Sequence, residues 1–161
     1  MIRRLTIAFA LLTLLLGACS STATTTTAAA SSDTTAAAAG NPGEVIITLA
    51  DVSADSMLLT PDPASAAAGE VTFVITNTGT EEHEFVVLKT DLGIADLPFD
   101  EAADEVLEDG EGVVALDEIE SIMPGETKTL TVTMEAGNYA LICNFEGHYR
   151  KGMRSAFTVT P

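Results

Sequence analysis

The feature that most constrains this chain is a two-residue alternation, repeated in short runs that each end in a turn signal. Val45, Ile47 and Leu49 alternate with Ile46, Thr48 and Ala50, and Val71, Phe73 and Ile75 share one side of the run ending at Asn77. Leu130, Val132 and Met134 alternate with threonines, Tyr139, Leu141 and Cys143 share a face, and so do Phe157 and Val159. A period of two places alternate side chains on opposite faces of an extended strand, so each run has one apolar face to bury. Asn77–Gly79, Pro124–Gly125 and Ala136–Asn138 supply turn chemistry between the runs. Short strands punctuated in this way predict an all-β domain, an antiparallel sandwich of two sheets running from Glu44 to Pro161. A segment of that length can hold a real core.

One stretch breaks the alternation. Between Asp96 and Glu120 there are eleven acidic residues and no Lys or Arg. Within it, Asp100 is a plausible N-cap, and Ala103, Val106 and Leu107 fall on one helical face, which predicts one short helix over Phe99–Leu107. The acids do not fit the alternate spacing, central glycine and closing glutamate of a calcium loop. The segment Asp91–Glu120 is therefore expected to be a solvated acidic excursion between two core strands, its role open, with docking of a basic partner as the sharper alternative.

The N-terminus predicts export. Arg3 and Arg4 precede an apolar run from Leu5 to Leu16, too short to span a membrane comfortably, and the run ends in Leu16, Gly17, Ala18 and Cys19. Residues 1–18 read as a lipoprotein signal whose cleavage leaves Cys19 as a lipid-bearing N-terminus. Residues 19–43 then form a tether of Ser, Thr, Ala and Gly that cannot bury enough apolar surface to offset chain entropy. As a flexible coil its 24 residues after Cys19 would reach roughly 25–30 Å. Removing the signal leaves five basic residues against 24 acidic ones, a net charge of −19. Such a surface repels nucleic acid and anionic lipid headgroups, so attachment to a membrane should come from the lipid on Cys19.

The cysteine and histidine inventory points to chemistry. With Cys19 lipidated, Cys143 is the only thiol left, and a lone thiol in an oxidising compartment asks for a reason. The only histidines are His83 and His148, and the second lies in the run Cys143-x4-His148-x4-Met153. A strand ends at Cys143 and a loop follows, with Gly147 and Gly152 immediately before His148 and Met153, where a tight turn needs backbone freedom. His83 opens the apolar run Glu84–Leu88 far upstream. A lone Met or Cys on a strand is usually core filling. Here the whole set converges on two imidazoles, a thiolate and a thioether. That is the donor set of an electron-transfer copper site with a weak axial methionine. Zinc is the main competitor, but structural zinc sites seldom use methionine.

The run Cys143–Met153, with Gly147-His148-Tyr149 and Gly152-Met153 inside it and His83 on an upstream strand, resembles the cupredoxins, and the auracyanin-like members most of all. The resemblance implies a Greek-key β-sandwich and one type 1 copper held by His83, Cys143, His148 and Met153. It further implies that the His148 ring edge is the point of electron exit and that His83 is buried. Glu146 departs from the pattern, since many members carry proline before the Gly-His pair.

A site closed by four protein ligands leaves no position for a substrate, so the chain is expected to be a single-electron carrier and not an enzyme. Two histidines are too few for a multicopper oxidase, and one free cysteine is too few for a binuclear copper centre. The alternative is a copper-binding module for storage, delivery or sensing, which the five scattered methionines do not favour. The expected partners are a redox protein, such as a cytochrome or oxidase, and the membrane through Cys19, with the protein monomeric and facing the periplasm or cell exterior. Arg150, Lys151 and Arg154 beside the ligand loop are either a positive docking spot or local partners for carboxylates.

Overall fold

A computed structural model describes residues 43–161. The expected lipoprotein signal, Cys19 and all but the last residue of the expected tether lie outside the described residues.

Two sheets face each other. The first is formed by β1 (Glu44–Ser53), β2 (Ser56–Asp62), β4 (Gly69–Asn77) and β9 (Thr127–Met134), in the order β2-β1-β4-β9. The second is formed by β3 (Ser65–Ala67), β5 (His83–Thr90), β8 (Val113–Ile122), β10 (Gly137–Ile142) and β11 (Arg154–Thr160), in the order β3-β11-β10-β5-β8. The sandwich and the strands read from alternation are present. The sheets are mixed, however, where the turn pattern predicted antiparallel ones: β1 lies parallel to β4, and β3 parallel to β11. Between β1 and β4 the chain passes through β2 and then β3 of the other sheet, and β11 joins β3 from the far end of the sequence, so local turn chemistry carries no trace of either pair.

On the first sheet Val45, Ile47, Val71, Phe73 and Ile75 point inward and are fully buried, while the opposite face mixes threonines with exposed Ile46 and Leu58. Its threonines pair across strands in the solvent, Thr72 with Thr131 and Thr76 with Thr127. Burying each large apolar side chain stabilises the fold by roughly 1.5–3 kcal/mol. The second sheet is different because both of its faces are covered. From β5, Phe85 and Val87 enter the inter-sheet core, while Val86 and Leu88 enter a second, outer core with Ala140 and Ile142 of β10.

The outer core is completed by the acidic segment. Leu97, Val106 and Tyr149 are buried there, with Ile94 and Phe99 packed against them. The expected helix does not form. Phe99–Asp100 and Glu105–Val106 are two short strands, β6 and β7, paired as a hairpin. Asp100 does accept from the backbone N–H groups of Ala102 and Ala103, as an N-cap would, but the chain turns after one such step and Asp104 adopts a positive φ of 58°. Five carboxylates crowd Asp100–Glu108, and burying Val106 under a sheet stabilises the hairpin where a lone helical turn would be marginal. Nor is the second half an excursion: Val113–Ile122 is strand β8, paired along β5.

Candidate metal centre

The four sequence-predicted residues arrive from two places at one end of the sandwich. His83 is the first residue of β5, and its ladder with β8 is irregular between His83 and Phe85. Cys143 follows the last residue of β10, and the loop to β11 carries His148 and Met153. That loop folds on itself: Cys143 N donates to Met153 O at 3.0 Å, His148 N to Phe145 O at 2.9 Å and Met153 N to His148 O at 3.1 Å. Lys151 O accepts from Met57 N at 2.9 Å, which ties the loop to β2. The two glycines serve as the spacing predicted. Gly147 has φ 78° and Gly152 φ 109°, and a Cβ on Gly152 would lie 2.8 Å from Met57 O.

His83, Cys143 and His148 present one donor atom each, and all three atoms lie within 4.8 Å of one another. The two histidine Nδ1 atoms are 3.2 Å apart, and Cys143 Sγ is 3.4 Å from His148 Nδ1. His83, Cys143 and Met153 are fully buried and His148 is 7 % exposed. Met153 packs in the same core cluster as Cys143.

The outer ring nitrogens face carboxylates. His83 Nε2 donates to Asp51 Oδ1 at 2.8 Å, and His148 Nε2 lies 3.5 Å from Glu81 Oε2. A ring that carries its proton on Nε2 turns the Nδ1 lone pair toward the cluster. With its proton on Nε2, the His83 ring turns its Nδ1 lone pair toward the cluster, 3.2 Å from His148 Nδ1, as a metal-ligating imidazole does. The donor set of two imidazoles and a thiol with a thioether close by fits copper.

Local electrostatics prepare these groups. Burial pushes the Cys143 thiol up to about 12, against N–H groups of Glu84 and Phe145 that favour the thiolate. Without metal the thiol therefore stays protonated and inert, and metal binding must expel its proton. Burial also lowers the pKa of His148, helped by the charges of His83 and Lys151, and so favours the neutral, ligating imidazole. Burial works against the Asp51 carboxylate, yet hydrogen bonds from Thr80 N, Glu81 N, the Thr80 hydroxyl and His83 outweigh it and hold its pKa at about 2. Beside the cluster, burial pushes the Glu84 carboxyl up to about 7; an Asn144 N–H opposes this, and Glu108, Glu118 and Glu105 add repulsion.

Several supporting residues escaped the sequence reading. Asp51 sits 32 positions before His83 on another sheet and carries no local signal. Asn77 read only as a turn residue, yet its buried amide donates to Glu81 O and Ile122 O, both at 2.8 Å, and accepts from Gly79 N at 2.9 Å, which fixes the loop leading to His83. Of the three basic residues beside the loop, Arg150 is the one with carboxylate partners among the described residues. Arg150 pairs with Glu101 and Asp104 and lies over the Phe99 ring, and Arg154 lies over Tyr149.

A two-layer β-sandwich with a buried His-Cys-His cluster at the end of a strand and its following loop defines a class of small metal-binding proteins. The chain belongs to the cupredoxin-like domain family, whose model matches residues 8–153. A reduced auracyanin from Roseiflexus castenholzii superposes with a TM-score of 0.51 at 20 % identity, covering 76 % of this chain and all of that one. Rusticyanin from Thiobacillus ferrooxidans gives 0.50 at 18 % identity, covering 74 % and 79 % of the two chains. A copper-containing nitrite reductase from Thermus scotoductus gives 0.50 at 11 % identity over 75 % of this chain, which spans 31 % of that larger one. These likenesses establish the fold. No curated protein matches. Within that family and fold, His83, Cys143 and His148 group as a type 1 copper site with Met153 nearby.

Proposed function

We propose that this chain is a blue-copper electron carrier in which His83, Cys143 and His148 hold one copper ion and Met153 is its weak axial ligand. The observation that carries the reading is the set of three buried donor atoms within 4.8 Å, two of them lone-pair nitrogens held in place from behind by carboxylates. Copper supplies the one-electron couple when bound. What the chain contributes is a fixed cage: Asp51 holds the His83 ring, the loop hydrogen bonds hold Cys143 and Met153, and burial keeps water and substrates out. A cage that does not rearrange favours rapid electron exchange, and a buried site favours it over handing copper to another protein.

The electron route in this proposal is the Nε2 edge of His148, the one member of the cluster with any solvent exposure. The partner is a redox protein outside the cytoplasm, such as a cytochrome or an oxidase, and attachment to the membrane is through lipid on Cys19. The reading supports a carrier and not an enzyme, because no open coordination position is left for a substrate.

The test is spectroscopic. The full chain in detergent should take up one Cu(II) and show an intense thiolate charge-transfer band in the visible, absent in Cys143→Ser. A colourless protein that binds zinc instead would sink the copper assignment. Reversible reduction without loss of metal to a chelator supports the carrier, and release on reduction would place it among copper-delivery proteins. Electron-transfer rates that do not change with salt would exclude electrostatic steering by the acidic surface.

A further inference from the structure

The acidic segment, unexplained by the copper chemistry, makes a dense set of contacts to one place. Asn144, directly after Cys143, is almost wholly buried. Its side chain accepts from Val106 N at 2.7 Å, donates to Val106 O at 2.9 Å and donates to Glu108 Oε1 at 2.8 Å. Gly147, directly before His148, donates from its N–H to Asp104 O at 3.0 Å. Tyr149, directly after His148, donates to Ile94 O and stacks near Phe99, 5.8 Å between ring centroids. Arg150 pairs with Glu101 and lies 4.2 Å over the Phe99 ring.

Every one of these loop residues lies between two proposed ligands, and every partner lies between Ile94 and Glu108. Asn144 in effect adds a side-chain rung beside strand β7, satisfying both backbone groups of Val106. The inner side of the loop is held by its own hydrogen bonds and by Met57. Without the hairpin its outer side would face water.

We propose that the hairpin segment Ile94–Glu108 is a clamp that holds the copper-ligand loop from outside the sandwich, with Asn144 as the positioning residue that transmits its grip to Cys143 and His148. The inference rests on the copper reading for its consequence, but the clamp itself is a property of the metal-free chain. An amide that satisfies a backbone N–H and C=O at once is a directional restraint that apolar packing cannot supply. Small shifts at such a site matter because imidazole and thiolate must meet the metal within tenths of an ångström.

The test uses the full chain in both metal-free and copper-loaded forms. Asn144→Ala should raise amide hydrogen exchange of the metal-free protein at Gly147, His148 and Met153 by tenfold or more, with the amides of β4 and β9 unchanged. In the copper form the same variant should shift the thiolate charge-transfer band or its intensity and speed copper loss to a chelator by tenfold or more. Asn144→Asp keeps the acceptor for Val106 N but sets a carboxylate oxygen against Val106 O and Glu108 Oε1, so it should raise loop exchange at least as much as Asn144→Ala. Should Asn144→Ala fail to fold, Tyr149→Phe removes only the bond to Ile94 O and should raise exchange in the loop and hairpin alone. Unchanged loop exchange, or an equal rise throughout the sandwich, would overturn the clamp. Since the exchange measurement needs no copper, its outcome is separate from whether the protein carries electrons.

Discussion

The second sheet serves two cores, and they are built by different means. Its inner face meets the first sheet over a large cluster centred on Phe73, Phe85 and Phe157, with ring centroids 5.2 and 5.6 Å from Phe73. Its outer face meets a hairpin and loops over a smaller cluster in which Leu97, Val106 and Tyr149 cover Val86, Leu88 and Ile142. The inner core is strand against strand. The outer one is strand against irregular chain and is ringed by acids. Cys143 and Met153 belong to the inner cluster while Tyr149, between them in sequence, belongs to the outer. The ligand loop is thus the seam between a core that sets the fold and a core that secures the site.

The sharpest way to break the inner core is Phe73→Ala. The residue is fully buried, and its loss should cost about 3–5 kcal/mol by leaving a cavity between two rings. Denaturant unfolding of the metal-free protein would measure it. A cost below about 1 kcal/mol would mean that the sheets collapse around the gap and the cluster is not the organising core. In the outer core, Leu97→Ala should cost about 2 kcal/mol, near the low end for such truncations because one side of the site is loop and can relax. Hydrogen exchange should rise in the hairpin and leave β4 and β9 protected; a loss spread evenly over both sheets would erase the distinction between the two cores.

The difference between the cores also explains what could be read from the sequence. Val71, Phe73 and Ile75 announce the inner face because strand periodicity is a local signal, and Cys143, His148 and Met153 lie close enough in sequence for their spacing to be chemical information. Strands β2 and β8 were not read, although Met57 and Ile122 are fully buried. In β8 the outward residues Val114 and Leu116 are apolar, and Asp117, Glu118 and Glu120 then crowd the pattern, so alternation is lost. Asp51 and Asn144 were not legible at all, because a hydrogen bond across 32 or 38 residues has no footprint in local sequence. The helix expected over Phe99–Leu107 failed for the same reason: the sheet beneath decided the conformation, and local propensity did not.

At the margin of the outer core the effects become small. Arg150→Ala removes an ion pair whose guanidinium is about half exposed and whose Glu101 partner is more so, so the loss in denaturant midpoint should be small, most of it from packing on Phe99. A Lys at position 150 should recover little of that, because the flat guanidinium on the ring is what is lost. If Lys restores stability in full, charge alone is the link and the stacking contributes nothing.

The smallest expected effect separates the cores by pH. Burial, then the carboxylates of Glu108, Glu120 and Asp117, raise the pKa of Glu118 above its ordinary value of 4.5. An acid whose folded pKa is raised favours folding in its protonated form. Its contribution is fully present below about pH 4.5 and is lost as pH rises through the raised folded value. Glu118→Gln should therefore stabilise the protein at pH 7 by a few tenths of a kcal/mol, the scale of exposed charge effects, and do nothing at pH 4. Denaturant midpoints of both proteins at the two pH values would show it. An equal gain at both would mean that shape at position 118, not charge, is responsible. Phe73→Ala, in contrast, should cost the same at either pH, since no Asp or Glu is among the buried described residues. A pH-dependent cost there would mean that the acids around the outer core are coupled through β5 to the inner one, and that the two cores unfold as a single unit.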